Sequence, residues 1–313
     1  MDDVERIERR LKLHDVRVLM SVVEAGSMHK AAERLATSQP AISRAIGDLE
    51  HALGVRLLDR SPHGIEPTQY GRAIIKRGLA VFDELRQGVK DIEFLADPTA
   101  GALRIGCTES TAAGPVLAAI DRLTLRHPRV VFDVVTGSVP SLCRDLAERR
   151  VELVILRTPE ALVDDNIVVE KLFDDSYFVV ATKQNLWTRR RRIELADLVD
   201  ERWTLPSPDS VVGTFARNAF RAQGLTLPAT TVVTLSMHLR NRLLATGRFL
   251  TIMSGFILKL PGKHASLKAL PVKLPNARGT VAIITLKNRT LSPLAELFIE
   301  TAHGVAKALK NAK

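Results

Sequence analysis

Apolar residues recur every three or four positions through the first part of the chain: Val18, Val22 and Val23, then Ala31, Ala32 and Leu35, then Ile42, Ile46, Leu49 and Leu53. That period is one face of an α-helix, and the spacing predicts three of them in succession. After Tyr70 a longer pattern runs without proline to Asp97, with Ile75, Leu79, Phe82, Leu85, Val89 and Ile92 on one stripe. At 1.5 Å per residue such a helix spans roughly 40 Å. Its stripe calls for a partner, most simply the same helix of a second chain, the other reading being the chain's own C-terminal domain.

The period changes at Asp97-Pro98-Thr99-Ala100-Gly101. Beyond it, "LRIGC", "VVFDVVT", "VELVILR" and "SYFVVAT" read as strands, followed by "RWTLP", "TTVVTL", "RFLTIMS" and "GTVAIITL". Helical patterns lie between them, among them one around Gly213 to Ala222, one from Met237 to Thr246, and a last one from about Ser292 to Lys310. Strand alternating with helix predicts an α/β fold with parallel sheets. The stretch from Asp97 to Gly101 is therefore expected to be a domain boundary. No repeat of fixed period occurs, and "TRRRRI" at Thr188 to Ile193 reads as a solvated loop.

Composition narrows the picture. No apolar run approaches the ~18 residues of a membrane span. The opening "MDDVERIERRLKLHD" is charged throughout, unlike a signal peptide, so a cytoplasmic protein is expected. Two cysteines, Cys107 and Cys143, have no close-spaced partners, which excludes a disulfide framework and a thiolate zinc site. The net charge is +10, yet the first 97 residues hold 15 Lys and Arg against 16 Asp and Glu, leaving 30 against 19 in the remainder. Bulk charge does not make the N-terminal part a nucleic-acid binder.

Local chemistry does more. Ser27 is placed to cap a short helix ending at Leu35, and Ala36-Thr37-Ser38 makes a tight turn. Ser38 is an N-cap for the next helix, with Gln39 and Pro40 in its first turn, where a missing N–H costs nothing. Ile42, Ile46, Leu49 and Leu53 take one face, Gln39, Ser43 and Arg44 stay outside, and Gly54 ends the helix. Two short helices with Gln, Ser and Arg near the start of the second fit a helix-turn-helix, and equally a two-helix packing element. Gln pairs with adenine, Ser with several base edges, Arg with guanine or phosphate. The following "GVRLLDRSPHGIEPTQYG" reads as two extended pieces about the turn Ser61-Pro62-His63-Gly64, a β-wing. Such a wing would put Arg60 and Thr68 near the backbone or minor groove.

"EAGSMHKAAERLATSQPAISRAIGDLEHALGVRLLDRSPHGIEPTQYG" resembles the DNA-binding region of the LysR-type transcriptional regulators. The matching features are "AAERL", "SQPAISRAI" and the "LG-x-x-LLxR … TxxG" wing; Met28-His29-Lys30 departs from the family's usual aromatic and small residues. The resemblance implies an N-terminal winged helix-turn-helix over residues 1–70, a dimerising linker helix over 71–97, and an effector-binding domain over 98–313. The last would be two subdomains, about 101–176 with 272–313 and about 177–271, joined by two crossing strands like a periplasmic binding protein. It also implies promoter or operator DNA, a small effector, a homodimer or homotetramer and RNA polymerase as partners, with no cofactor and no catalytic residues. Gln39, Ser43 and Arg44 would contact bases, Ser38, Arg56, Arg60 and Thr68 would position the protein on the DNA backbone, and Pro40 belongs to the same DNA-binding set.

In open α/β sheets ligands sit beyond the carboxyl ends of strands, near helix N-termini. Thr108 and Ser110 follow the first strand, Thr136 and Ser138 the second, and Ser207 and Ser254 end strands of the other subdomain; each is also an ordinary capping residue. Arg157, closing the apolar strand "VELVIL", could hold a carboxylate in bidentate fashion or form a surface salt bridge. With the basic balance of this half it favours an anionic, carboxylate-bearing effector. Cys107 reads as a redox sensor at a helix start or as a small buried hydrophobe. An α/β enzyme or a solute-binding protein is the competing reading. Against it, no nucleophile elbow, dinucleotide fingerprint, P-loop or His-Glu-x-x-His is present, and Asp164-Asp165 and Asp174-Asp175 are too adjacent to act as carboxylate pairs within a strand.

Overall fold

A computed structural model describes residues 10–61, 64–159, 162, 164–228, 231–259 and 266–311. The chain divides into two units, one ending at Gly88 and the other beginning at Val89.

In the first unit, helix α1 (Leu13–Ala25) stops at Gly26, whose φ of 66° is open to glycine without strain. Helix α2 (Met28–Arg34) follows. Ser27 stands at its N-cap with extended backbone, but its hydroxyl makes no capping bond, contrary to expectation. The helix start is held instead by burial of Met28 and by the Ser27 carbonyl, which accepts from Ala31 N at 3.0 Å. Ala36 takes a φ of 49° in the turn. Helix α3 (Gln39–Leu53) then begins as expected: the Ser38 hydroxyl accepts from Ala41 N at 3.3 Å, and Gly54 closes it in the left-handed region. Ile42, Ile46 and Leu49 are fully buried against Val18, Leu19 and Val22 of α1. Strands β1 (Leu58–Ser61) and β2 (Gly64–Pro67) form an antiparallel wing; Pro62 and His63 of the expected turn lie outside the described residues.

Helix α4 (Gln69–Ala96) is continuous over 28 residues. Its stripe does not serve a single purpose. Ile75 and Phe82 pack into the first unit's own core, with the Arg17 guanidinium 4.8 Å from the Phe82 ring centroid. A Cβ on Gly78 would stand 2.7 Å from Val16 Cγ1. Leu85, Val89, Ile92 and Leu95 on the later turns are exposed. The stripe simply outruns the helix that covers its first half.

The second unit is a mixed α/β fold. Strand order is β4-β3-β5-β11-β6-β9-β7-β8, with β10 also on β6. One lobe holds β3 (Ala100–Cys107) parallel to β4 (Arg129–Thr136) and β5 (Leu153–Arg157). A short turn at Glu109–Thr111, a π turn at Ala112–Val116 and helix α5 (Leu117–Thr124) follow β3, and helix α6 (Val139–Ala147) follows β4. The other lobe holds β7 (Arg202–Leu205) parallel to β8 (Thr231–Val233) and β9 (Phe249–Ser254). Its helices are α7 (Val211–Arg221), α8 (Met237–Ala245) and the short α9 (Gly255–Lys259). Strand β10 (Leu267–Ala269) and the closing helix α10 (Pro293–Asn311) complete the unit.

Uniform parallel pairing fails at the centre. Strands β6 (Ile167–Thr182) and β11 (Arg278–Leu286) run antiparallel to each other and pass between the lobes. The first half of β6 pairs with β11 and its second half with β9 and β10. Only "SYFVVAT" of β6 was evident from hydrophobicity, because Glu170, Lys171 and Asp174 interrupt the apolar period upstream. Each lobe has its own core, Leu103, Ile105, Ile155 and Phe298 in one, Trp203, Phe220, Leu250 and Ile252 in the other. Among the described residues no helix is long and apolar enough to cross a membrane.

Candidate nucleic-acid interface and ligand cavity

Gln39, Ser43 and Arg44 are all exposed on α3, on the side away from Ile42, Ile46 and Leu49. Four residues advance a helix by about one turn, so Gln39 and Ser43 are stacked neighbours and Arg44 flanks them. Pro40 is exposed in the first turn. The Ser38 hydroxyl is engaged in capping that turn. Arg56 is exposed just before the wing. The Thr68 hydroxyl donates to the Arg56 carbonyl at 2.8 Å and accepts from Gly71 N at 3.1 Å. Thr68 thus ties the root of the wing to the first turn of α4. The backbone of Arg60 pairs with Ile65 in the wing, and its side chain lies outside what is described.

In the second unit a cavity of about 450 Å³ opens where the carboxyl ends of the parallel strands from both lobes converge. Its wall brings together Thr108, Ser110, Thr136, Ser138, Arg157, Ser207 and Ser254. These hydroxyls differ in what they are free to do. Thr108 closes a capping box with Thr111, their oxygens 2.9 Å apart, and also stands 3.2 Å from the Ser110 oxygen. Ser138 caps α6 through Ser141 N. Among the described residues, the hydroxyls of Thr136, Ser207 and Ser254 make no hydrogen bond and remain available.

Arg157 lines the cavity, but it is neither a free cation nor a surface residue. Its Nη2 donates to Asp175 Oδ2 at 2.8 Å, with the two side chains 8% and 9% exposed. Nη1 donates to the Asp175 carbonyl at 3.3 Å, and the guanidinium lies 3.9 Å from the Tyr177 ring centroid. The other Asp175 oxygen accepts from Phe256 N at 3.0 Å. A Cβ on Gly279 would collide with Nη1, so β11 leaves room for this pair. The ion pair therefore joins β5, the crossing strand β6 and α9. Desolvation lifts the Asp175 carboxyl above its ordinary value despite the Arg157 charge, and pushes the Tyr177 phenol up to about 12.

Arg240 was not anticipated. It is only 5% exposed, lines the same cavity, and its Nε has no partner among the described residues. Nη2 stands 3.1 Å from Met237 Sδ, a weak acceptor. Desolvation lowers its pKa, opposed by the charge of Glu109. Exposed Glu109, from the opposite lobe, accepts from Met237 N at 2.8 Å and so caps α8 across the cavity. "MHLRNRLLA" reads as a polar helix, yet Arg240 shares a face with Met237 and Leu244, three before and four after it. That face was the available signal.

Among the described residues no group of three His, Cys, Asp or Glu could hold a metal. Cys107 is fully buried and its thiol is pushed up to about 12, by desolvation first and then by Glu109. Burial also raises Cys143. The thiolate is the reactive form, so of its two readings Cys107 fits the small buried hydrophobe better than the redox sensor. At neutral pH iodoacetamide is expected to leave Cys107 unmodified in the folded protein and to label it after unfolding in urea. Prompt native labelling at Cys107, read by peptide mass, would contradict this assignment.

The comparisons agree with this geometry. The family described as "Bacterial regulatory helix-turn-helix protein, lysR family" matches residues 13–72, and "LysR substrate binding domain" matches residues 96–307. The chain is 26% identical to the HTH-type transcriptional regulator GbpR of Azospirillum brasilense over 288 residues, 92% of this chain and 84% of that protein. Full-length OxyR from Pseudomonas aeruginosa has a similar fold, with a TM-score of 0.64, 21% identity and 95% of each chain covered. Full-length CbnR, solved with its target DNA, matches with a TM-score of 0.53 and 19% identity over 95% of this chain and 100% of that one. A winged helix-turn-helix, a long helix and a two-lobed α/β unit with a cavity at its strand ends, matched by these families over most of the sequence, place this chain in the family of LysR-type transcriptional regulators.

Proposed function

We propose that the chain reads promoter DNA through α3 and that a small, carboxylate-bearing effector in the α/β cavity sets its output. The observation that carries the DNA reading is the two-sidedness of α3. Its apolar face is consumed by the core, while Gln39, Ser43 and Arg44 stand in solvent at the N-terminal end that enters a major groove. The family membership and the DNA complex of CbnR support it. The protein acts as a homodimer through the exposed turns of α4, which carry Leu85, Val89, Ile92 and Leu95, and pairs further into a tetramer. Two symmetry-related α3 helices then read half-sites a helical turn or a multiple apart. Ligand in the cavity favours one arrangement of the lobes by its differential affinity, and DNA binding follows that equilibrium.

The test is retention of DNA fragments from upstream of the gene's own operon against random duplex, at stated salt. Gln39→Ala should weaken the cognate site by roughly 1–3 kcal/mol while leaving random duplex nearly unchanged. Equal loss on both DNAs would reduce Gln39 to a non-specific contact. No preference for any upstream fragment, with or without candidate ligands, would overturn the proposal.

A further inference from the structure

We infer that the ligand of this cavity carries a single carboxylate on an apolar body, and that Arg240, not Arg157, receives it. The inference rests on the cavity being the effector site proposed above. Two guanidinium groups line it, each with an unpartnered Nε among the described residues, and they differ in what meets their charge. Arg157 has its charge met by Asp175, and its Nη groups are bonded to that residue. Arg240 is as deeply buried, has no carboxylate bonded to it among the described residues, and meets only a thioether at Nη2 while Nε is unpartnered. Arginine keeps its proton at any physiological pH, so a desolvated guanidinium of this kind is left asking for an anion. Its planar guanidinium offers paired N–H donors that match the two oxygens of a carboxylate.

The surroundings limit the rest of the ligand. Thr136, Ser207 and Ser254 offer free hydroxyls, whereas Val139, Val211, Val212, Ile252, Met253 and Ile257 supply an apolar wall. The remaining charges on the lining are the exposed carboxylates of Glu109 and Asp209. Glu109 and Asp209 stand in solvent, where their charge is screened, whereas Arg240 is buried, so the guanidinium receives one carboxylate and the two exposed carboxylates discourage a second. A compact apolar monocarboxylate fits this balance; a dicarboxylate or an alkylamine does not. The volume lies within the range of small-molecule sites.

The experiment titrates the full-length chain by calorimetry with hexanoate, cyclohexanecarboxylate, hexanamide, adipate and hexylamine. At least one of the two monocarboxylates is expected to bind, with adipate, the amide and the amine weaker. Arg240→Gln should weaken the monocarboxylate by about tenfold or more, the loss of one charge-assisted pair, without changing the amide. Arg240→Lys should restore part of the affinity, and a thermal unfolding midpoint no lower than the parent's in the unliganded variants guards against a folding defect. Failure of both monocarboxylates to bind at millimolar concentration, preference for the amine, or equal affinity in Arg240→Gln would overturn the inference. DNA retention measured in parallel separates the two readings: Arg240-dependent binding that leaves DNA affinity untouched keeps the anchor and removes the effector role. A DNA response to hexylamine alone keeps the effector role and removes the anchor.

Discussion

Asp175→Ala is expected to destabilise the second unit by about 3–5 kcal/mol, the cost of leaving a buried charge without its partner. The carboxylate meets Arg157 Nη2 at 2.8 Å and Phe256 N at 3.0 Å in a place almost closed to water. Removing it strands a guanidinium that cannot shed its proton. The reverse deletion is milder. Without Arg157, whose charge lowers it, the Asp175 carboxyl, already raised by desolvation, rises further and is the easier of the two groups to neutralise. The sign follows: a carboxyl whose folded pKa exceeds its unfolded value contributes stability below the unfolded value and loses it as pH rises through the folded one. Arg157→Met should therefore cost little in mild acid and more at neutral pH, whereas Asp175→Ala should cost much at both. Replacing both, Arg157→Met with Asp175→Leu, should return close to the parent. Trp187 and Trp203 are the only tryptophans, and both lie in the second unit, so urea unfolding followed by their fluorescence isolates it. A loss below about 1 kcal/mol for Asp175→Ala would mean that water reaches the pair.

Ile46→Ala should be nearly as severe in the first unit, about 2–5 kcal/mol. Ile46 is fully buried between α3 and the helices behind it, so truncation opens a cavity under the residues that face outward. A unit of this size has little reserve, on the order of 5–10 kcal/mol. The loss therefore converts directly into unfolded recognition helix. DNA retention should fall on cognate and random duplex alike, in contrast to Gln39→Ala, and the helical circular dichroism should melt earlier. The tryptophan transition should stay where it was, because the truncated core belongs to the first unit and both tryptophans to the second. Undiminished DNA retention at physiological temperature would show that Ile46 does not hold α3 in place.

Much of this architecture was legible along the chain. The caps at Ser38 and Gly54, the buried triplet of α3 and the wing follow from local chemistry that needs no distant partner. The hydroxyls after β3, β4, β7 and β9 were legible for a topological reason, since parallel strands deliver their carboxyl ends to one place. Ser27 takes the expected N-cap position, but its hydroxyl does not bond the helix. The first half of β6 was missed because Glu170, Lys171 and Asp174 are exposed and pair with His303, with each other and with Thr280, and so break the apolar period.

What the linear sequence determined by itself is therefore the set of short-range facts: which residues turn, cap and stripe, and that α3 keeps an apolar side and a polar one. Tertiary structure alone decided the electrostatics of the cavity. Asp175 lies eighteen positions after Arg157 on another strand, and its neighbour Asp174 turns instead to Lys171 and Thr280. Arg240 owes its isolation to the fold burying one face of α8 while Glu109, the carboxylate across the cavity, bonds Met237 N instead of the guanidinium. Whether a charge is neutralised depends on distances and dielectric between segments remote in sequence, and neither quantity is carried by local order.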